Sequence, residues 1–528
     1  MNTDTHCNKE GSSETLEAAT TSDNEGKSPS DESSAEKENL TGTIVLDNNN
    51  NNSIPIEKND NSPSVPCLSC HDDEELGRSL MLDPGDIINT NTSSYSGEAH
   101  FQNVCRLVIR LALAAMKFGS NSDRVEHFLP QVMHVFGYSP NSVFLCSTNE
   151  LICKFDRRMD VEDCARHHHH HRCMMDLVRV KTGFSLTKLG LLSDLAKDIL
   201  QGKLENNIQL ADERLDEIEQ APDPWGPRAL GFAFIMAGSG LPVFFNGTWW
   251  DVLCGAIAGG MTYTLVAMFE QFAAEEASIW LSLVASFCCS AFAAAVQLAR
   301  PEISVTIVTV SGVIVLVPGA TITLGLTDLV TRHIMSGFSR FIDGLVTMVW
   351  LSLGCCLGAT FVDYVAQTIG VEQTLDGDLA NGEEVQSVSS FWHVLFVPIL
   401  CGSVPVLFQV SFKDTAWAML SMFVAYAFMF MGTNALPGEN LGTFLAAFIV
   451  TIFSNVWSRK YNRPNTIVLM PAFLLLVSGS VGFLGLTQIL EGETHQGLDD
   501  FFHMFIVAGC IIAGILGGCT VVRPQSTV

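Results

Sequence analysis

From residue 229 to the C-terminus the chain is a succession of apolar runs, each near the length a helix needs to cross a bilayer. A hydrocarbon core about 30 Å thick takes about 20 helical residues. Ten segments fit, at 229–247, 249–269, 277–299, 303–326, 336–362, 389–409, 416–432, 441–458, 466–486 and 501–522. Lipid offers no partner to a backbone N–H or C=O, so each run must bond within itself as a helix. The expectation is an all-α polytopic membrane protein. With 48% apolar residues, 16% charged and a mean hydropathy of +0.28, a soluble enzyme filling the chain is excluded. A net charge of −27 leaves no basic footprint for nucleic acid.

Charge between the runs sets the topology. The first forty residues hold no hydrophobic stretch that would serve as a cleaved signal, so the N-terminus is expected to stay in the cytosol. The inside loops then carry Arg332, Lys413, Arg459, Lys460 and Arg463, with Arg523 in the C-terminal tail; the outside loops carry only Arg300. The longest outside loop, 363–390, has six acids and no Lys or Arg. Ten spans with both termini cytosolic satisfy the positive-inside rule. Plasma membrane and internal, vacuolar-type membrane stay equally open.

One motif occurs twice. Residues 317–326 read VPGATITLGL and residues 477–486 read VSGSVGFLGL, with five of ten positions identical at an offset of 160. An Arg-Pro pair precedes each copy, at Arg300-Pro301 and Arg463-Pro464. One copy ends the fourth run and the other ends the ninth, so five spans separate them and they cross the bilayer in opposite directions. That placement points to a 5+5 inverted-topology repeat, an architecture of secondary transporters whose substrate sits where helices are broken. Pro318 removes a backbone donor and Gly319 relaxes the helix, while Ser478-Gly479-Ser480, preceded by Pro471, loosens the partner. Freed amides and carbonyls suit the two ends of a zwitterion, with the hydroxyls of Thr321, Thr323, Ser478 and Ser480 as further contacts. Small residues also serve close helix packing in lipid.

Charge within the runs is sparse. Asp328 and Arg332 stand i,i+4 and Arg340 and Asp343 stand i,i+3, each set read either as a local pair or as proton-coupling groups. Asp343 lies deepest, about two turns from the expected cytosolic edge.

The remainder divides into a tail and a domain. Residues 1–99 hold 20 acids against 5 basic residues and an asparagine run at 48–52, a composition expected to stay disordered. Residues 100–228 are patterned. Phe101, Val104, Leu107, Val108, Leu111 and Ala115 recur at helical spacing, a second helix runs from Ser120-Asn121-Ser122 to Val135, and Gly119 and Gly137 are the stops. Short strands follow at 143–146 and 151–155, then helices at 186–200 and 207–218, giving a small α+β cytosolic domain. The membrane halves are then 229–362 and 391–528, joined by the acidic loop 363–390.

Metal and cofactor motifs are absent as working sites. Cys67-Leu68-Ser69-Cys70-His71 matches a c-type haem attachment only formally, in an acidic stretch without a secretory signal. The histidines at 167–171 are contiguous and lack the spacing of a structural zinc site, so they read as a low-complexity insertion. No cofactor or metal is expected, and the sixteen cysteines are not a disulfide framework.

Together these residues carry a family resemblance. Phe118-Gly119-Ser120-Asn121-Ser122-Asp123-Arg124-Val125-Glu126 resembles the opening motif of the threonine/serine exporter family. Leu316-Val317-Pro318-Gly319 through Asp328, followed by Ser336-Gly337, resembles its fourth-span signature, and 442–447, Arg463-Pro464 and 477–486 resemble the companion half that some bacterial relatives carry separately. The resemblance covers about 100–522 and implies ten spans, with threonine and serine exported at the expense of membrane potential or a proton gradient. It also marks Gly119, Ser120, Arg124 and Glu126 as the domain's signature residues. The acidic tail, the histidine insertion and Ser478 in place of a second proline depart from the family pattern, and the long tail suggests a eukaryotic member.

Three classes of function compete. A transporter of small neutral hydroxy amino acids, embedded in lipid and compatible with a homo-oligomer, accounts for the repeat. A membrane-anchored sensor or scaffold, whose cytosolic domain binds partners, needs neither repeat nor broken helices. An intramembrane enzyme would need a Ser/His or paired-Asp constellation; His393 and His503 lie near outside edges with no nucleophile at matching depth.

Overall fold

The computed structural model describes residues 95–138, 141–147, 150–156, 173–179, 183–204, 207–272, 278–370, 388–435, 439–476 and 479–524. The acidic tail, the Cys67–His71 motif, the histidine run, most of the 363–390 loop and Ser478 lie outside them.

The N-terminal domain begins with α1 (Tyr95–Lys117) and α2 (Ser122–Val135). The apolar stripe of α1, from Phe101 to Ala115, is wholly buried. Gly119 and Gly137 take positive φ (94° and 84°), the left-handed conformation that lets a chain leave a helix sharply. An antiparallel sheet follows in the order β1 (Val143–Cys146), β2 (Glu150–Asp156) and β3 (Cys173–Arg179). Leu151, Cys153 and Phe155 alternate inward from β2. Two helices, α3 (Leu186–Leu200) and α4 (Ile208–Gln220), complete the layer. Asn207 caps α4 by accepting from the backbone N–H groups of Gln209 and Leu210. Arg110 of α1 ties α4 in place through Asp212, Asp216 and Glu219.

Twelve further helices make the apolar part among the described residues: α5 (Pro227–Phe244), α6 (Trp249–Phe272), α7 (Ser278–Ala299), α8 (Val305–Val313), α9 (Gly319–Val330), α10 (Ile334–Ile369), α11 (His393–Leu407), α12 (Phe412–Ala435), α13 (Glu439–Tyr461), α14 (Thr466–Leu476), α15 (Gly479–Glu491) and α16 (Thr494–Val521). Eight stretches are long and apolar enough to cross a membrane, with 466–491 taken as one; Gly319–Val330 and His393–Leu407 are shorter. The expectation of ten full-length spans is thus met in eight places. The fourth run is divided at Pro318, and the sixth holds Pro398 and Pro405 and stops at fifteen residues.

Glycine sets the tightest crossings. Where α9 meets α10, a β-carbon on Gly325 would lie 2.8 Å from Phe341 N and 2.9 Å from Gly337 O. Where α15 meets α16, one on Gly485 would lie 2.8 Å from Phe501 N and 2.7 Å from Gly497 O. Side-chain-free backbones at these points let helices touch without any hydrophobic drive, which lipid does not supply.

Candidate functional site

The two copies of the repeated motif meet. The first marks a helix break: α8 stops at Val313 and α9 starts at Gly319, after the donor-less Pro318. The second lies between the described stretches α14, to Leu476, and α15, from Gly479, with 477–478 outside the described residues. A β-carbon on Gly479 would lie 2.7 Å from Gly319 Cα and 3.0 Å from both Gly319 N and Val317 Cγ1. Two residues 160 apart in sequence are therefore in backbone contact. Pro318, Gly319, Thr323 and Gly479 are buried, while Thr321 and Ser480 are half-buried. The first turn of α9 has amides without intrahelical partners, so this start carries about half a positive charge. It favours an anionic group, and the end of α8 favours a cationic one.

A second cluster lies where the N-terminal domain docks on the helix ends. Ser122 of α2 hydrogen-bonds Ser336 at the start of α10 (2.8 Å), and Ser336 donates to Asp328 Oδ2 of α9 (2.9 Å). Arg340 completes the ring, 3.5 Å from Asp328 and donating to Ser122 at 3.1 Å. His333 lies 3.1 Å from both Glu126 and Asp123, and Glu126 also accepts from Cys146 N at 2.8 Å. Arg124 donates to Asn465 and Thr466 at the start of α14, and burial pulls its pKa below the usual arginine value. Gly119 packs against Phe184, and the neighbouring Ser120 is buried. The domain signature and the fourth-span signature, some 200 residues apart, thus form one interface.

The charge pairs differ from both local readings. Asp328 pairs with Arg340, not with Arg332, because the glycine crossing of α9 and α10 brings them together. Arg332 is exposed in left-handed backbone (φ 72°), and Asp343 is exposed with no ion pair among the described residues. Among the described residues no group of three His, Cys, Asp or Glu is placed to hold a metal.

A second internal offset carries residues that the repeated motif alone does not reveal. At 163, Pro242-Val243 matches Pro405-Val406, Phe245 matches Phe408 and Asp251 matches Asp414. Each Pro begins a turn with a residue at positive φ, Asn246 (53°) and Gln409 (52°), closed by Gly247 N to Pro242 O and Val410 N to Pro405 O, both 2.9 Å. A comparison of the two halves at that offset finds these pairs in the bare sequence.

A family model described as "putative threonine/serine exporter" matches residues 106–362, and one described as "threonine/serine exporter" matches 393–520. The chain belongs to the threonine/serine exporter family. Both halves of the exporter family thus stand in one polypeptide, and the two copies of the repeated motif fall one in each matched region. Curated relatives include an uncharacterized protein of Schizosaccharomyces pombe, 22% identical over 404 residues (74% of this chain, 49% of the relative). Pheromone-regulated membrane protein 10 of Saccharomyces cerevisiae is 22% identical over 384 residues (71% and 46%). The chain spans about half the length of these relatives or less. No solved structure matches.

Proposed function

We propose that the protein is a secondary transporter of the exporter type that moves small neutral hydroxy amino acids by alternating access. The reading rests on one observation above all: the two copies of the repeated motif touch through Gly319 and Gly479. In this reading α8 with α9, and α14 with α15, each count as one interrupted span, so ten spans form two oppositely oriented halves of five. The matching glycine crossings at Gly325/Gly337 and Gly485/Gly497 support that division. A zwitterion would set its carboxylate against the starts of α9 and α15 and its ammonium against the carbonyl ends of α8 and α14. Thr321, Thr323, Ser478 and Ser480 would select for a hydroxyl. The docked domain would face the cytosol, as would both termini.

Coupling to a proton gradient or membrane potential would use Asp343, an acid on α10 that has no ion pair among the described residues, while the Asp328–Arg340 pair would hold the domain on the bundle. The test is flux of labelled threonine and serine in proteoliposomes with an imposed pH gradient. Uptake above empty vesicles, lost in Gly319→Leu with insertion intact, supports the proposal; a Gly319→Leu variant with undiminished flux sinks it. The docking of the domain on the helix ends also supports a membrane-anchored sensor or scaffold, which predicts no flux above empty vesicles.

A further inference from the structure

Two buried aspartates occupy matching places in the halves but are neutralised differently. Asp251 and Asp414 each follow the positive-φ turn and accept a bond from the hydroxyl three residues earlier, Thr248 Oγ1 at 2.9 Å and Ser411 Oγ at 2.7 Å. In each half an Arg-Pro pair precedes the broken helix, 163 residues apart. Arg463 makes an ion pair with Asp414. Its counterpart Arg300 does not reach Asp251. It lies exposed over the Trp250 ring, 4.9 Å from the centroid.

Asp251, 1% exposed, has only neutral partners: Thr248 N at 2.7 Å, Thr248 Oγ1, and Ser304 N at 3.0 Å. Among the described residues no cation meets it. A buried carboxylate gains from a counter-charge, and an exposed cation–π contact holds an arginine weakly. Trp250 is the residue next to Asp251, so Arg300 already rests beside its potential partner.

The asymmetry follows the domain. Leu186 N donates to Phe408 O (3.1 Å), Thr187 Oγ1 to Gln409 O (2.6 Å), Trp225 Nε1 to Val410 O (2.8 Å), and Lys197 Nζ to Asn462 O. The end of the bundle that the domain grips is the end at which the ion pair is made. In a transporter of two inverted halves, the second state is reached when one half rocks against the other and the two ends exchange roles.

We infer that Arg300 and Asp251 form, in a second conformation, the ion pair that Arg463 and Asp414 form here, so that the two ends of the bundle are latched in turn. The inference rests on the two-half transporter reading. Arg300 and Arg463 are positioning residues in it, since neither touches the helix breaks that would hold substrate.

Hydrogen exchange on the purified full chain in nanodiscs tests this without substrate. Arg463→Gln raises uptake at 409–415 and 461–467 about threefold and lowers it at 246–252 and 300–306. Arg300→Gln, at an exposed position, does the reverse: uptake falls at the domain end and rises at the far end. Arg300→Lys and Arg463→Lys stay near the unaltered chain. A purely structural role raises uptake only around the substituted residue, so the reciprocal fall is decisive. If Arg463→Gln does not purify, Arg300→Gln decides alone. The inference is overturned if Arg300→Gln leaves the domain end unchanged, or if both ends loosen together. Lack of threonine or serine flux in the unaltered chain would count against the transport reading, whereas reciprocal exchange is scored whether or not that flux exists.

Discussion

Replacing Gly479 with alanine probes the contact between the two copies of the repeated motif. The added carbon would sit 2.7 Å from Gly319 Cα and 3.0 Å from Gly319 N. Two carbons rest about 3.5–4.0 Å apart, so the helices must part by about 1 Å. The nearest atom met is backbone, so turning the Val317 side chain aside does not relieve the contact. Overpacking of this kind costs about 1–3 kcal/mol, and removing a helical glycine returns about 0.5–1 kcal/mol. The midpoints leave a net loss of about 1.2 kcal/mol, which, if closure at this contact limits transport, lowers flux about 8-fold. Gly509→Ala is the control, because a β-carbon there meets nothing within 4 Å. The assay is the initial rate of labelled threonine or serine uptake in proteoliposomes, normalised to inserted protein. Equal rates for Gly479→Ala and Gly509→Ala, or wild-type flux in Gly479→Leu, would refute the reasoning.

Three other outcomes are expected. Arg340→Leu strips the counter-charge from Asp328, whose side chain is only 7% exposed, and costs about 3–5 kcal/mol, read as a lower thermal midpoint; adding Asp328→Leu restores most of it. Asp343→Asn removes the pH dependence of flux measured in proteoliposomes; an unchanged pH profile removes Asp343 from the mechanism. Burial raises the Cys105 and Cys153 thiols to about 12, which favours the neutral form and keeps the thiolate fraction at pH 8 near one in about ten thousand. Both should resist iodoacetamide in the native protein and react on denaturation, as mass spectrometry of the labelled peptides would show; native labelling at the denatured rate would contradict it.

Hydropathy exposed most of the membrane architecture because lipid forces a local rule on every span: each helix must satisfy its own backbone. Pro318 marked the break between α8 and α9 for the same local reason. What stayed hidden is long-range. Arg340 has an acid three residues away, Asp343, yet binds Asp328 because the α9–α10 crossing at Gly325 and Gly337 decides the geometry. No local pattern links Ser122 to Ser336 or Arg124 to Asn465. Strand β3 was illegible in another way: it follows the histidine run, and Met175 and Leu177 are exposed, so its alternation does not announce a buried face.

The N-terminal domain grips the start of α10 through Ser122 and, through Thr187 and Trp225, the turn that leads into α12. In the proposed two-half transporter α10 and α12 belong to different halves, so the domain would be strapped to both. Any swing between the halves would then shear one strap or carry the domain along as a rigid passenger. The force needed to open the bundle at that side would be set in the docked domain rather than among the helices themselves.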